Sequence, residues 1–274
     1  MSKIKVGPIQ MKVKDKKDDN LHKAAKLIDK IGKEDVDMVV LPEMFSCPYN
    51  TKNFPIYAEE EVDYSYKFLS EVSKRNNIYL IAGSIPEKED NNIYNTSYVF
   101  NRQGEKIAKH RKVHLFDIDI KNKQTFRESD TLSAGDKVTV FDSEFGKIGL
   151  CICYDFRFPE IARLMVDKGA KAIIVPASFN MTTGPAHWDI MFKSRAIDNQ
   201  VYTIGCSPAR DYNYSYISYG HSLIVSPYGD ILCELDEKEN FITYDIDLNY
   251  VDEIREQLPL LKHRRSDLYE LLEK

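Results

Sequence analysis

Gly149-Leu150-Cys151-Ile152-Cys153-Tyr154-Asp155-Phe156-Arg157-Phe158-Pro159-Glu160 is the stretch on which the fold of this chain turns. The apolar run Ile148 to Cys153 reads as a buried strand, and Glu160 to Lys168 carries a helical pattern opened by Pro159. Cys153 therefore stands where a strand gives way to a helix. Backbone N–H groups in the turn after such a strand lack partners, so a thiol there has oxyanion donors beside it. Taken alone the position is ambiguous, because cysteine is among the most buried residue types and a single thiol usually packs rather than reacts.

Working outward, other strand ends also carry polar side chains. Val36 to Leu41 is a continuous apolar run, as a strand buried on both faces requires, and it ends in Pro42-Glu43-Met44-Phe45. Two readings of Glu43 stand: a surface glutamate at a strand end, or a partly buried carboxyl whose pKa rises toward the range of a general base. The run Lys109-His110-Arg111-Lys112-Val113-His114-Leu115-Phe116-Asp117 places cations ahead of apolar residues. One lysine carried inward would act as a fixed cation if a carboxylate balanced it.

The rest alternates between strands and helices. Lys3 to Val13, Ile78 to Pro86, Tyr94 to Asn101, Glu105 to Lys109, Lys137 to Phe141, Lys171 to Val175, Val201 to Ser207, Gly220 to Pro227, Asp230 to Leu235 and Phe241 to Asp247 read as strands. Asp19 to Lys33, Tyr64 to Asn77 and Ala186 to Asn199 read as helices, and Gln124 to Asp136, which holds Glu128, reads as loop. Val39-Val40-Leu41-Pro42-Glu43-Met44-Phe45 is echoed by Ile173-Ile174-Val175-Pro176-Ala177-Ser178-Phe179, as if two similar halves packed sheet to sheet. One domain is expected over 1–274, with 248–274 a tail that packs on the domain or on a partner subunit.

With 274 residues, 43% of them hydrophobic, the chain can bury a substantial core. The net charge of -5 and the lack of a concentrated basic face argue against nucleic acid as a partner. No apolar stretch approaches the ~20 residues of a membrane span, and cysteines at 47, 151, 153, 206 and 233 have no zinc spacing. Reduced thiols in a cytoplasm are the expectation.

Taken together, Leu41-Pro42-Glu43, Arg111-Lys112-Val113-His114-Leu115-Phe116 and Gly149 to Asp155 resemble the motifs of the carbon-nitrogen hydrolase, or nitrilase, superfamily. The resemblance runs from Gln10 to Asp267. Within the superfamily the chain looks closest to the omega-amidase branch through Ser46 to Tyr49, His114 to Asp119, Phe179 to Trp188, Ser194 to Gln200 and Ser207 to Asp211. That implies a mixed α/β fold, a four-layer αββα sandwich, assembled at least as a homodimer. It also implies a Glu-Lys-Cys triad of Glu43, Lys112 and Cys153, with Glu128 as a second glutamate beside Lys112.

The chemistry of these groups gives each a role. Cys153 is the nucleophile, Glu43 its base, and Lys112 with the backbone N–H of Tyr154 the oxyanion site. A Cys-His dyad using His114 or His187 is the alternative, although the Glu-Lys-Cys set already fills both roles. No metal and no organic cofactor is needed, since the electrophile is already a carbonyl. The expected substrates are the monoamides of small dicarboxylic acids, alpha-ketoglutaramate and alpha-ketosuccinamate, released as acid plus ammonia. Arg157, Tyr49, Thr182 and Thr183 are the expected readers of the carboxylate, within a pocket walled by Phe45, Phe116 and Phe179; a structural ion pair of Arg157 with Glu160 or Asp155 is the competing reading. A deaminated glutathione amidase, an N-carbamoyl hydrolase and an inactive member serving as a binding partner are the other functions weighed.

Overall fold

The computed structural model describes residues 3–121 and 124–274; residues 1–2 and 122–123 of the expected 1–274 span lie outside them. Side-chain alternation sets the layers. Val40 faces a core shared with Ile174 and Ile204 of a second sheet, whereas Val39 and Leu41 face Leu21, Ile28 and Val72 of two helices. In the second sheet Ala172 and Ile174 point to the shared core, and Ile173 and Val175 pack on Met165, Trp188 and Phe192. Every central strand is thus apolar on both faces, and the molecule is an αββα sandwich of four layers.

Among the described residues the first sheet has nine strands and the second six. The first is built around the parallel strands Lys3–Gln10, Met38–Val40 and Tyr79–Ile81. Helices Lys17–Ile31 and Tyr64–Asn76 cover its outer face. In the second, Gly146–Leu150, Ala172–Pro176 and Tyr202–Cys206 run parallel, covered by helices Pro159–Asp167 and Gly184–Asn199. The two stretches that echo in sequence hold matching places: Met38–Val40 and Ala172–Pro176 each lie between two parallel neighbours. None of the helices described is long and apolar enough to cross a membrane.

Three segments depart from the sequence reading. Ile78 to Pro86 is two strands, Tyr79–Ile81 and Ile85–Glu89, because Gly83 adopts a left-handed backbone (φ 55°) between them. Gln124 to Asp136 is not all loop: Gln124–Arg127 pairs with Asp117–Ile120 as a separate two-stranded hairpin, and a 3-10 turn, Glu128–Asp130, follows. Phe241 to Asp247 is two short strands, Asn240–Phe241 and Tyr244–Asp247, both paired with Lys3–Gln10. After helix Asn249–Gln257 the tail returns to the Cys153 side, where Arg264 pairs with Asp167 at 2.5 Å and Glu273 pairs with Lys168.

Gly83 also shapes the Glu43 turn. A Cβ there would stand 2.2 Å from the Pro42 carbonyl oxygen, while the neighbouring Ser84 holds both the Pro42 carbonyl and the Met44 N–H. Gly83→Ala is expected to lower stability by about 2–3 kcal/mol, a strained φ together with a backbone clash. A urea midpoint within error of the wild type would contradict this.

Candidate active site

The polar groups converge where the central strands end. Glu43 stands three residues after the end of Met38–Val40, Lys112 directly follows Lys106–Arg111, and Cys153 stands three residues after the end of Gly146–Leu150. Ligand sites of α/β sheets form at such carboxyl ends.

Lys112 is fully buried, and its chain is pinned on both sides: its N–H donates to Asn95 O at 2.8 Å and its carbonyl accepts from Gly135 N at 2.8 Å. Its ammonium lies 2.9 Å from Glu43 Oε1 and 2.9 Å from Glu128 Oε1. Glu128 is also held by the Tyr49 hydroxyl at 2.6 Å and by Phe116 N–H at 2.7 Å. Glu43 Oε1 accepts from Asn95 Nδ2 at 2.9 Å. Oε1 also accepts from the Tyr49 hydroxyl at 3.2 Å, Oε2 is buried with no hydrogen-bond donor among the described residues, and the Cys153 thiol is a further polar neighbour of this carboxylate.

Two buried carboxylates around one ammonium leave a net negative charge away from water. Burial raises the pKa of Glu43; Lys112 opposes the rise, and Glu128 adds to it. Lys112 stays cationic: burial works against its charge, yet Glu128 and Glu43 together raise its pKa. The Cys153 thiol is pushed well up, first by burial and then by Glu43. The Cys153 thiol thus lies beside a Glu43 carboxyl with an unpartnered oxygen, an arrangement suited to proton transfer from sulfur to oxygen.

Cys153 itself is strained. Its φ is 46°, a left-handed conformation that costs a non-glycine residue roughly 1–2 kcal/mol. Asp155, two residues on, holds the turn in place. Its Oδ1 accepts from Val113 N–H (3.1 Å) and His114 N–H (2.7 Å) and pairs with His114 Nδ1 (2.9 Å). Its Oδ2 accepts from Ile152 N–H (3.1 Å) and pairs with His110 Nε2 (3.0 Å). One buried carboxylate thus ties the segment after Lys112 to the segment before Cys153. Burial opposes its charge, but these partners hold its pKa far below the ordinary 3.8. A depressed pKa gives stability that is present above about pH 4 and lost as pH falls below it. Asp155→Asn is expected to lower kcat about 10- to 100-fold and stability by about 1–3 kcal/mol. An unchanged kcat and urea midpoint would remove Asp155 from this role.

A narrow cavity beside the thiol is lined by Phe116, Cys153, Tyr154, Arg157, Phe179 and Thr183, among others. Four of the substrate contacts expected from sequence, Phe116, Arg157, Phe179 and Thr183, therefore come together here. The Arg157 guanidinium lies 4.6 Å from the centre of the Phe179 ring and bonds His187 Nδ1 at 3.1 Å. It does not pair with Asp155, whose oxygens are taken, or with Glu160. Burial lowers its pKa, and no carboxylate stands among the groups that oppose this. It is a cation in want of an anion.

Three expected contacts are corrected. Phe45 lies wholly in the core under the helices, because the left-handed backbone of Met44 (φ 50°) turns Phe45 away from Glu43. Tyr49 gives its proton to Glu128 and lies outside this cavity, so it is not placed to read a carboxylate. Thr182 is drawn outward: Asn180 Oδ1 accepts from the N–H groups of both Thr182 and Thr183, and the Thr182 hydroxyl turns to Gln124 at 3.4 Å.

Sequence reasoning missed Asn95, Ser178, Asp155 and Tyr216. Tyr216 stacks on Tyr49 with ring centres 4.4 Å apart and donates to the Ser178 carbonyl, while the Ser178 backbone hydrogen-bonds the thiol of Cys153. Its loop carries no periodic signal. Asp155 lies inside the quoted stretch and was legible there. Among the described residues no cluster of three or more His, Cys, Asp or Glu side chains has the arrangement of a metal site.

The chain is also similar to known proteins. Residues 5–256 match the family described as Carbon-nitrogen hydrolase. The chain is 48% identical over 274 residues to "Omega-amidase NIT2-B" of Xenopus laevis, covering 100% of this chain and 99% of the relative. It is 45% identical over 269 residues to "Omega-amidase NIT2" of Homo sapiens, covering 98% of each. The solved structure of Saccharomyces cerevisiae Nit3, a member of branch 10 of the nitrilase superfamily, superimposes with a TM-score of 0.89 at 44% identity, over 96% of this chain and 97% of that one.

Proposed function

As this chain belongs to the carbon-nitrogen hydrolase family and is an amide-hydrolysing enzyme, we propose that it is an omega-amidase acting through the buried cluster of Glu43, Lys112, Glu128 and Cys153. The observation that carries the reading is the acceptor oxygen of Glu43 beside the Cys153 thiol, with the Lys112 ammonium bound to the same carboxylate.

Glu43 takes the thiol proton as sulfur attacks the amide carbon. The C=O electron pair moves to oxygen, where Lys112 and the Tyr154 N–H receive it. Such a donor is typically worth ~3–4 kcal/mol. The tetrahedral intermediate then collapses, the C–N bond breaks, and Glu43 returns its proton to nitrogen as ammonia leaves. Water, deprotonated by Glu43, attacks the thioester; the C–S bond breaks, the acid departs and the thiol regains its proton. Glu128 anchors Lys112 through all of these steps.

The substrate is a small dicarboxylic acid monoamide such as alpha-ketoglutaramate or alpha-ketosuccinamate. Arg157 supports this, as a cation with no carboxylate partner at the nucleophile's cavity, and Thr183 adds a hydroxyl. The cavity is about 10 Å³, so a bound acid displaces Arg157 from the Phe179 face. A charge-assisted hydrogen bond is worth ~1.5–3 kcal/mol, so Arg157→Ala is expected to raise KM for ketoglutaramate at least tenfold and that for a neutral short amide less than twofold. Equal effects on both amides would refute the carboxylate assignment, and turnover of deaminated glutathione alone would move the enzyme to the neighbouring activity.

The reading extends to a cytoplasmic homodimer or higher homo-oligomer without nucleic acid or membrane partners. Exposed Ile190 and Ile197 on helix Gly184–Asn199 and the free cysteines support it. Sedimentation equilibrium as a monomer would contradict the assembly.

A further inference from the structure

A second cavity touches the reacting groups from the other side. It measures about 30 Å³, room for a water molecule or an ammonia, against about 10 Å³ for the cavity beside Cys153. Half-buried Val13 and Asp211 stand at its outer end and buried Glu43 at its inner end. Ser178 and Tyr216 line both cavities and form the wall between them, held by the Tyr216 hydroxyl on the Ser178 carbonyl.

The two chambers differ in charge. The one beside Cys153 contains Arg157, whereas the one beside Glu43 contains the carboxylates of Glu43 and Asp211 and no lysine or arginine among its lining residues. A carboxylate is attracted to the first and repelled by the second; an ammonium ion experiences the reverse. The proposed reaction needs both. Nitrogen takes its proton from Glu43 and leaves as ammonia, which becomes ammonium in water, and the water that replaces it must reach the same carboxylate while the acyl chain still occupies the Arg157 side.

We propose that the cavity between Val13, Asp211 and Glu43 is a separate passage through which ammonia departs and the hydrolytic water arrives. The substrate acid enters and leaves on the Arg157 side. This rests on the thioester mechanism above but not on the identity of the acid.

The test places a large side chain at the outer end. Wild type and Val13→Trp are mixed with ketoglutaramate or with a neutral short amide, with hydroxylamine added as a small nucleophile. Its nitrogen attacks the thioester, the C–S bond breaks, and a hydroxamate forms as the thiol recovers a proton. In Val13→Trp, acyl-Cys153 seen by mass spectrometry is expected to become the major form at steady state. The ratio of hydroxamate to acid should fall at least fivefold, and KM for the amide should stay within twofold. Asp211→Asn leaves the cavity open and serves if the tryptophan variant does not fold; the ammonium concentration giving half inhibition should then rise at least threefold.

A folded Val13→Trp with no acyl-enzyme accumulation and an unchanged product ratio overturns the passage. A tenfold rise in KM with an unchanged ratio also overturns it, because the cavity then holds substrate. Acylation by the neutral amide alone removes the acid reading while the product ratio still decides the passage. No acyl-Cys153 from either amide removes the thioester mechanism, and the passage with it.

Discussion

Cys153→Ala is expected to release no measurable ammonia from any amide, a loss of roughly 10⁴-fold or more, on the scale of removing a nucleophile from a catalytic unit. The reason is geometric. The Glu43 carboxyl, whose Oε2 is unpartnered, has the Cys153 thiol as a neighbour and holds the Lys112 ammonium on Oε1. Alanine keeps the left-handed backbone and the core around it, so the variant should fold, and its circular dichroism should match the wild type. Residual turnover within a hundredfold would mean that sulfur is not the attacking atom, and would reopen direct attack by a water activated at Glu43.

Lys112→Met should damage both activity and stability. Turnover should fall about 10²- to 10³-fold through loss of an oxyanion donor. The fold should lose about 3–5 kcal/mol, because Glu43 and Glu128, both fully buried, are left facing one another without their shared cation. The pH dependence gives the sign. Without Lys112 the main influence lowering the Glu43 pKa is gone, so it rises further above its ordinary 4.5. A raised folded pKa gives stability that is present below about pH 4.5 and lost as pH rises through the folded value. The gap between variant and wild-type urea midpoints should therefore widen from pH 4.5 to pH 7.5. A gap that is constant with pH would show that the carboxylates do not depend on this lysine.

Glu43 and Cys153 are readable from residue order because each follows a strand that must be apolar. Val39-Val40-Leu41 and Ile148-Gly149-Leu150 are forced into the core on both faces, so Glu43 and Cys153 stand out at their ends. Lys112 is less evident, since nothing local distinguishes the buried cation from Lys109 and Arg111, which pair with Glu87 nearer the surface. Phe45 lies in the core and not at the pocket wall because Met44 adopts a left-handed backbone, which residue order does not signal. The Thr182 hydroxyl turns to Gln124 and the Thr183 hydroxyl to Asn180 Oδ1, contacts that depend on three-dimensional placement. Tyr216 reaches the site from a loop whose path is fixed by packing against Tyr49 and Phe126, and no periodicity announces it.

The burial that keeps Cys153 protonated also bears on how the protein meets oxidants. Peroxide and electrophilic alkylators react with thiolates, and exposed thiols of low pKa are the ones lost to sulfenic and sulfinic acid. Cys153 is 5% exposed, and its pKa is well above that of a free thiol. In the mechanism proposed above, its sulfur loses the proton to Glu43 only as it attacks the amide carbonyl. The same packing that pushes the Cys153 thiol pKa up thus also shields its sulfur, and alkylation of Cys153 in the resting protein is expected to be slower than that of a free thiol.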